Sequence, residues 1–556
     1  MKVLFLASIA LGAVQVASHT TSPLFATDQA QLHSPVTELD NSLALPTNGS
    51  YIYLSGMYDA LQVMQDSWFR LWIGTWPTSI DWTAAVLSSY VTTALESLSK
   101  SKREWSSSPT ASVRLENQIE KYFDQTTAFY YGENAFSLRN EANDDMLWVV
   151  LNWMKSVNFA TAHSLTFRLH SGGLPWHGAQ YIPAFVHRAR VFYDLAAKGW
   201  STTLCGGGMV WNDNLEPYKN AITNELYISA STQMYLFFPG DNNTSPYGAR
   251  PTPTDDRFNE TYLDNAVQGY AWLKNSNMTN SQGLYVDGFH ITGWNASTNS
   301  TGTGKCDDRN NMVYTYNQGV LLTGLRGLWE GTGDVGYLID AHALVRAVIA
   351  ATGWTEAGID AEAPLNTTWA GLGRAGILED YCDANGTCNQ DAQTFKGIYM
   401  EHLTTLCQPL PPVARRPGKT FGAPPALNKV HLNSCRSYGD WIRHNAAAAN
   451  STRDARGRFG MWWGASLFNS SDVARAAAAL PAGAVDYMNI AARPRVKRRD
   501  TSFESVPQWP MIPLPEDMDA PVVVHDLNGR GRGRTVETQG GGLSVMRAAW
   551  EISRLG

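Results

Sequence analysis

The fold of this sequence is decided by one helix-forming stretch, NDDMLWVVLNWM, at residues 143–154. Beyond its two acids, hydrophobic residues occupy nearly every face of the predicted helix, and a helix that is hydrophobic all round is buried. The stretch is shorter than the roughly 20 apolar residues that a bilayer-spanning helix needs. It therefore predicts an interior helix of a large soluble protein, with Asn143 as the N-cap residue.

The two acids at the start of this helix, Asp144 and Asp145, are the candidate catalytic residues. Burying a carboxylate is costly unless the group is paired, neutralised or solvated in a cleft. Successive helical residues point about 100° apart, so the two carboxyl groups would surround one point. Glycoside hydrolysis needs such a pair, one as nucleophile or base and the other as proton donor. The alternative is that both acids serve only the helix dipole.

Composition excludes several classes of protein. The chain has 556 residues, of which 44% are hydrophobic, long enough for one large domain or two to three ordinary ones. Its net charge of −7 argues against a nucleic-acid partner, because nucleic acids select basic surfaces. No group of residues has zinc-ligand spacing, so the sequence predicts no metal site and no cofactor.

Several features predict export. Residues 1–18 combine Lys2, a short apolar run and a small-residue cleavage site, as in a secretory signal peptide. The chain has six cysteines, an even number that favours disulfides in an exported protein: Cys205, Cys306, Cys382, Cys388, Cys407 and Cys435. Cys382 and Cys388 are close enough to close a small loop, and the other pairings stay open. About eleven Asn-x-Ser/Thr sites add to this, including the glycosylation candidates Asn48, Asn243, Asn259, Asn277, Asn295, Asn366, Asn385 and Asn469.

No second apolar segment reaches membrane length, and the C-terminus lacks the apolar tail of a GPI signal. The sequence therefore predicts a secreted monomer without a membrane span, located outside the cell or in the cell wall.

Helical periodicity recurs from about residue 52 to residue 449, and alternating strand patterns are scarce. Some of these helices are apolar on most faces and others on one stripe. An inner ring of buried helices inside an outer amphipathic ring, an (α/α) toroid, explains both kinds. The predicted organisation is a signal at 1–18, a loose segment at 19–50, an all-α catalytic domain at 51–480, a partly disordered tail at 481–540 and a short helix at 541–556.

Polar residues collect at the starts of several apolar helices, which suggests one shared face that carries the site. Several of these clusters, together with the acid pair, resemble in order the motifs of glycoside hydrolase family 76. The segments that carry the resemblance are NDDMLW at 143–148, CGGG at 205–208, YKNAI at 218–222, TYNQGVL at 315–321, GD at 333–334 and FKGI at 395–398. The resemblance covers roughly residues 50–470.

This resemblance implies an (α/α)6 barrel that cleaves α-1,6-linked mannan with retention of configuration. The family motif assigns Asp144 as nucleophile and Asp145 as acid/base. Position and residue type suggest sugar contacts for Trp211, Asp287, Tyr316, Asn317 and Lys396. For Asn317 and Lys396, which begin predicted helices, a structural role is equally open.

Three functions remain open from the sequence. The first is a secreted endo-α-1,6-mannanase. The second is a transglycosylase that joins mannan-containing glycans to wall polymers through the same covalent intermediate. The third is an inactive carbohydrate-binding protein of the cell wall, against which the intact acid pair argues. The sequence does not decide whether water or a sugar hydroxyl accepts the mannosyl group.

Overall fold

The computed structural model describes residues 49–102, 109–132, 141–243, 257–298, 300–355, 367–468, 476–489 and 526–555. The predicted signal segment at 1–18 lies outside these ranges, as does the loose segment up to residue 48. Most of the predicted tail lies outside them too, and so do the glycosylation candidates Asn48, Asn366 and Asn469.

Helices dominate the described part of the chain, in agreement with the predicted all-α class. They are α1 (Tyr51–Trp68), α2 (Asp81–Ser101), α3 (Pro109–Gly132), α4 (Asn143–His170), α5 (Ile182–Ala196), α6 (Ala221–Phe237), α7 (Glu260–Asn275), α8 (Thr315–Thr332), α9 (Gly336–Ala351), α10 (Phe395–Leu406), α11 (Pro425–Ser437), α12 (Gly439–Ser451) and α13 (Val536–Ser553).

Helices α2, α4, α6, α8, α10 and α13 form a closed inner ring, in which each packs against the next and α13 packs against α2. Outside this ring, α3, α5, α7 and α9 each pack on the inner helix that precedes them in the chain, while α1 and α12 pack on α13. This arrangement confirms the predicted (α/α)6 barrel.

Helix α4 is buried on nearly all sides, as its composition predicts. Leu147, Val150 and Trp153 have no exposed surface, and the Trp153 ring stacks on Phe185 of α5 at 4.8 Å. Burial of one such large side chain stabilises the fold by about 1.5–3 kcal/mol. These contacts fix α4 in the ring, and with it the position of the two acids at its start.

The C-terminal helix differs from its prediction. Helix α13 begins at Val536 rather than near residue 541, and it is an inner helix of the barrel rather than a short appendage beyond a domain that ends at 480. Its three consecutive glycines have low intrinsic helix propensity. They allow close packing here, because a side chain on Gly397 of α10 would lie 2.9 Å from the Cα of Gly541.

The Arg- and Gly-rich segment before α13 also differs from its prediction. Residues 526–535 are ordered by hydrogen bonds, although their composition favours disorder. The Arg534 guanidinium donates to the Thr452 carbonyl oxygen at 2.7 Å and to the Asp526 carboxylate. Arg530 donates to the carbonyl oxygen of Ala384 at 3.0 Å. The segment is therefore bound to the rest of the barrel.

Short strands occupy the loops between inner helices. β1 (Lys219–Asn220), β2 (Gly288–His290) and β5 (Asp308–Asn310) form one antiparallel sheet, in which Asn220 lies opposite Gly288 and Gly288 opposite Asn310. β3 (Trp294–Asn295) pairs with β4 (Ser300–Thr301), and β6 (Gly373–Arg374) with β7 (Ile377–Leu378). The first of these sheets holds the loops that precede α6 and α8.

The cysteines form three disulfides, Cys205–Cys306, Cys382–Cys388 and Cys407–Cys435. The predicted pairing of Cys382 with Cys388 is confirmed, and the structure supplies the two pairings that the sequence left open. Described glycosylation candidates lie at the surface or are partly exposed: Asn243, Asn259, Asn277, Asn295 and Asn385. Within the described ranges, no helix is both long enough and apolar enough to cross a bilayer.

Candidate active site

The N-terminal ends of the inner helices lie at one end of the barrel. Near the helix starts, Trp82 of α2 stacks on Trp148 of α4 at 5.6 Å. Near the opposite ends of the same two helices, Ser99 lies 2.7 Å from His163. Similar registers join α8 to α10 and α13 to α2, so these helices run in parallel. The polar clusters at the helix starts therefore share one face, as the sequence predicts.

The start of α4 is held by hydrogen bonds that the sequence did not predict. Ala142, not Asn143, is the N-cap residue, and no side chain caps this helix. Asn143 is the first helical residue, and its amide Nδ2 donates to the Val210 carbonyl oxygen at 2.9 Å. Its backbone N–H donates to the Trp211 carbonyl oxygen at 2.8 Å. Asn143 thus attaches the loop that contains Trp211 to the start of α4, next to Asp144.

Asp144 is a buried carboxyl group, with 7% of its surface exposed. It accepts a hydrogen bond from the Asp145 backbone N–H at 3.1 Å, and the Trp211 indole is its neighbour. Burial raises the pKa of Asp144 to about 7, although this hydrogen bond and the nearby indole N–H favour the ionised form. Near neutral pH, a substantial fraction of Asp144 is therefore ionised.

Asp145 is partly exposed and lines a cavity of about 240 Å³ between the α1–α2 loop and the start of α4. The cavity wall also contains Trp82, Glu141 and Asp81. Burial and then the charge of Asp144 raise the pKa of Asp145 well above its usual range, and Glu141 adds to this effect. No ion pair among the described residues joins Lys, Arg or His to either member of the pair. Asp145 is thus kept protonated beside an ionisable partner.

A third carboxyl group, Asp391, lies just before α10 and was missed by the sequence analysis. It accepts hydrogen bonds from the Trp82 indole at 3.0 Å and from the Asn389 amide at 2.8 Å. Its charge raises the pKa of both Asp144 and Asp145. The only local signal was its place at a helix start, which many capping acids share.

Two predicted sugar contacts, Trp211 and Tyr316, lie beside the pair. The Trp211 indole N–H is close enough to Asp144 to lower the pKa of that carboxyl group. The Tyr316 ring stacks on Phe395 at 3.9 Å, and its hydroxyl is buried without a hydrogen-bond partner in the described structure. Burial raises the pKa of this hydroxyl, and the charges of Asp287 and Asp144 add to the effect. The buried Tyr316 hydroxyl is therefore within electrostatic range of the Asp144 carboxyl group and donates no hydrogen bond to a described residue.

Asp287 and Asn317 form the other side of this polar layer. Asp287 accepts hydrogen bonds from the Tyr218 hydroxyl at 2.5 Å and from the Asn310 amide at 3.2 Å. Burial raises the pKa of Asp287 to about 6. The Asn317 amide is close enough to Asp287 to lower that pKa, but no well-formed hydrogen bond joins them. Both residues are almost fully buried and support the site from below the surface.

Lys396 takes the structural role that the sequence left open. Its ammonium group is buried and forms an ion pair with Asp383 at 2.6 Å, over the face of Trp463. The structure thus does not bring Lys396 to the acid pair as a free cation. The two groups of described residues with metal-ligand types each include a cysteine in a disulfide, Cys435 in one and both Cys382 and Cys388 in the other.

Comparisons with known proteins agree with this geometry. Residues 72–423 match the model of glycosyl hydrolase family 76. Similar proteins include the mannan endo-1,6-alpha-mannosidases DCW1 of Candida glabrata, 23% identical over 236 residues, and DCW1 of Saccharomyces cerevisiae, 24% identical over 237 residues. Each alignment covers 41% of this chain, and 42% and 41% of the respective relatives, so the chain spans about two fifths of their length.

A solved structure with a similar chain path is an inactive variant of an alpha-1,6-mannanase from Salegentibacter, in complex with alpha-1,6-mannotetrose. It covers 90% of this chain and 99% of its own, at 14% sequence identity and a TM-score of 0.49. These values support no conclusion about what the present chain binds. The family model, in contrast, matches more than half of the chain and includes the acid pair. The chain therefore belongs to glycosyl hydrolase family 76, a family of glycoside hydrolases.

Proposed function

We propose that this chain is a secreted endo-α-1,6-mannanase that cleaves the backbone of fungal wall mannan with retention of configuration. The observation that carries the proposal is the adjacent pair Asp144 and Asp145, which is unpaired by any described cation and of which Asp145 lines a cavity. The α-1,6-mannan substrate rests on family membership and on the names of the relatives. Three disulfides support an oxidising, extracellular location.

The two carboxyl groups differ in the way that a retaining mechanism requires. The hydrogen bond from the Asp145 N–H and the nearby Trp211 indole N–H favour ionised Asp144, which suits the nucleophile. Asp145 has the more strongly raised pKa and faces the cavity, which suits the proton donor. In a retaining enzyme the two groups lie on the order of 5 Å apart, and neighbouring residues in one helical turn can meet that spacing.

The reaction proceeds in two displacements. The Asp144 carboxylate attacks the anomeric carbon, the bond from that carbon to the glycosidic oxygen breaks, and Asp145 gives its proton to the departing oxygen. Water then attacks the anomeric carbon while Asp145 accepts a proton, and the ester bond to Asp144 breaks. A sugar hydroxyl in place of water would give transglycosylation from the same intermediate.

The test is incubation of the protein with unbranched α-1,6-mannan, followed by chromatography of the products and NMR of the first-formed anomer. Asp144→Asn and Asp145→Asn should each lower the rate by about 10³-fold or more. Each substitution removes a carboxyl group that the two displacements need. Asp264→Asn, an exposed position on α7, is the matched control and should retain activity.

The outcomes separate the three functions. Oligosaccharides that are released with α-configuration confirm the hydrolase. Products that become longer than the substrate when an acceptor glycan is added indicate the transglycosylase instead. Binding without any product indicates the inactive wall protein. Cleavage that both Asp→Asn variants retain overturns the assignment of the catalytic pair.

A further inference from the structure

The loop between α1 and α2 contains a tight turn beside the candidate cleft. The Arg70 backbone N–H donates to the Thr75 carbonyl oxygen at 2.9 Å, and the Gly74 N–H donates to the Arg70 carbonyl oxygen at 2.9 Å. These bonds close a turn over residues 71–74, in which Gly74 adopts a positive φ of 68°. The tip of this turn has a defined conformation.

The turn exposes three consecutive large apolar side chains. The exposed fractions are 61% for Leu71, 76% for Trp72 and 44% for Ile73. Trp72 makes no hydrogen bond or ring contact with any described residue. Contiguous exposed apolar surface of this kind marks a binding site more often than it occurs without function. Because the closed turn already holds the Trp72 indole in an exposed position, binding of a ligand there would cost little conformational entropy.

The base of the same turn is part of the cavity wall. Thr75, Trp76 and Pro77 line the cavity that contains Asp145. Trp76 is almost fully buried, donates its indole hydrogen bond to Gln65 at 3.0 Å and packs against Phe69 at 5.1 Å. The turn is therefore anchored in the barrel, and its tip is a few residues from the cleft.

We propose that the turn at residues 71–74, with Trp72 at its centre, is an outlying sugar-binding site for mannosyl units of the chain that occupies the cleft. This inference rests on the proposed function. The C–H face of a pyranose ring packs on an indole face through apolar contact, while its hydroxyl groups remain in water. A polymer that leaves the cavity past Thr75 meets Trp72 next, whereas a short oligosaccharide ends before it.

The site predicts a dependence on substrate length. Loss of one aromatic contact is worth about 0.5–1.5 kcal/mol, which corresponds to roughly 2- to 10-fold in affinity. Trp72→Ala should therefore raise KM for long α-1,6-mannan by that factor and leave kcat unchanged. The same variant should cleave α-1,6-mannotetraose with unchanged kcat/KM, because this substrate is held by the cleft alone.

The experiment measures kcat and KM on both substrates for the wild type, Trp72→Ala, Trp72→Phe and Leu169→Ala. Trp72→Phe keeps an aromatic face and should recover most of the lost affinity. Leu169 is 84% exposed near the C-terminal end of α4, so Leu169→Ala is the matched control for loss of an exposed apolar side chain. Thermal unfolding checks that the variants fold.

The results distinguish failure of this inference from failure of the proposed function. If Trp72→Ala matches the wild type on both substrates, the outlying site is wrong and the mannanase assignment stands. An equal loss on both substrates places Trp72 in the cleft itself and also overturns the outlying site. If the wild type cleaves neither substrate, the proposed function falls, and this inference falls with it.

Discussion

Two sets of buried acids in the inner ring are held in opposite ways. At the helix starts, Asp144 and Asp145 have raised pKa values and no described cation as partner. Farther along the ring, Glu401 of α10 forms ion pairs with Lys155 of α4 at 2.7 Å and Arg547 of α13 at 2.8 Å. Burial opposes ionisation of Glu401 too, but the two cations outweigh it and lower its pKa to about 2.

The difference separates chemistry from stability. A buried acid that is fully paired is fixed in one charge state and cross-links the elements around it. A buried acid without a cation is costly to ionise and exchanges its proton near neutral pH, which is what an acid/base catalyst needs. Asp144 and Glu401 are both nearly inaccessible to solvent, so their charge partners, and not their burial, distinguish them.

The largest effect is expected from the paired acid. Glu401→Gln leaves the buried charges of Lys155 and Arg547 without their common partner and should lower the free energy of unfolding by about 3–5 kcal/mol. Urea denaturation measures this value. Glu260→Gln, which breaks an exposed ion pair with Lys419, is the matched control and should change the free energy of unfolding much less, because solvent screens an exposed ion pair. If Glu401→Gln loses no more stability than the control, the contrast between the paired and the unpaired buried acids is wrong.

A smaller effect of opposite sign is expected from the unpaired acid. The folded-state pKa of Asp144 is about 7, above its ordinary value of 3.8, so its ionisation destabilises the fold progressively as pH rises between these values. Asp144→Asn removes that cost and should be more stable than the wild type at pH 8, by up to about 4 kcal/mol, but not near pH 4. Urea denaturation at both pH values measures this difference in the free energy of unfolding. A difference between variant and wild type that is the same at both pH values contradicts the assigned pKa.

The smallest effect is expected from Trp211, which neighbours Asp144. Trp211→Phe removes the nearby indole N–H that favours ionised Asp144, so the pKa of Asp144 should rise further. The acidic limb of the kcat/KM profile should move to higher pH, with a loss of about 1 kcal/mol or fivefold at neutral pH. Trp82→Phe removes an indole hydrogen bond to Asp391 and tests whether the shift is specific. If the acidic limb of the Trp211→Phe profile is unchanged, the indole does not influence the pKa of the nucleophile Asp144.

Local sequence patterns predicted the helices of the ring and the acid pair. Helical periodicity, and an apolar helix that follows two carboxyl groups, can both be recognised within a few residues of sequence. It did not predict contacts between distant segments. The helix that carries Gly541 was predicted as a separate short helix, since local propensity does not show the neighbouring Gly397 against which it packs closely. Asp391 was missed for the same reason, because only the folded ring brings it near Trp82.

The closure of the ring by its last helix has a consequence for biosynthesis. Ser97 of α2 and Glu551 of α13 are separated by 454 residues and meet across the final seam of the barrel. Until the ribosome has released α13, the faces of α2 and α10 that it covers remain unprotected from water, and such nascent surfaces invite aggregation. A premature stop codon between α10 and α13 would therefore leave the ring open between α10 and α2 and would not yield a shortened enzyme.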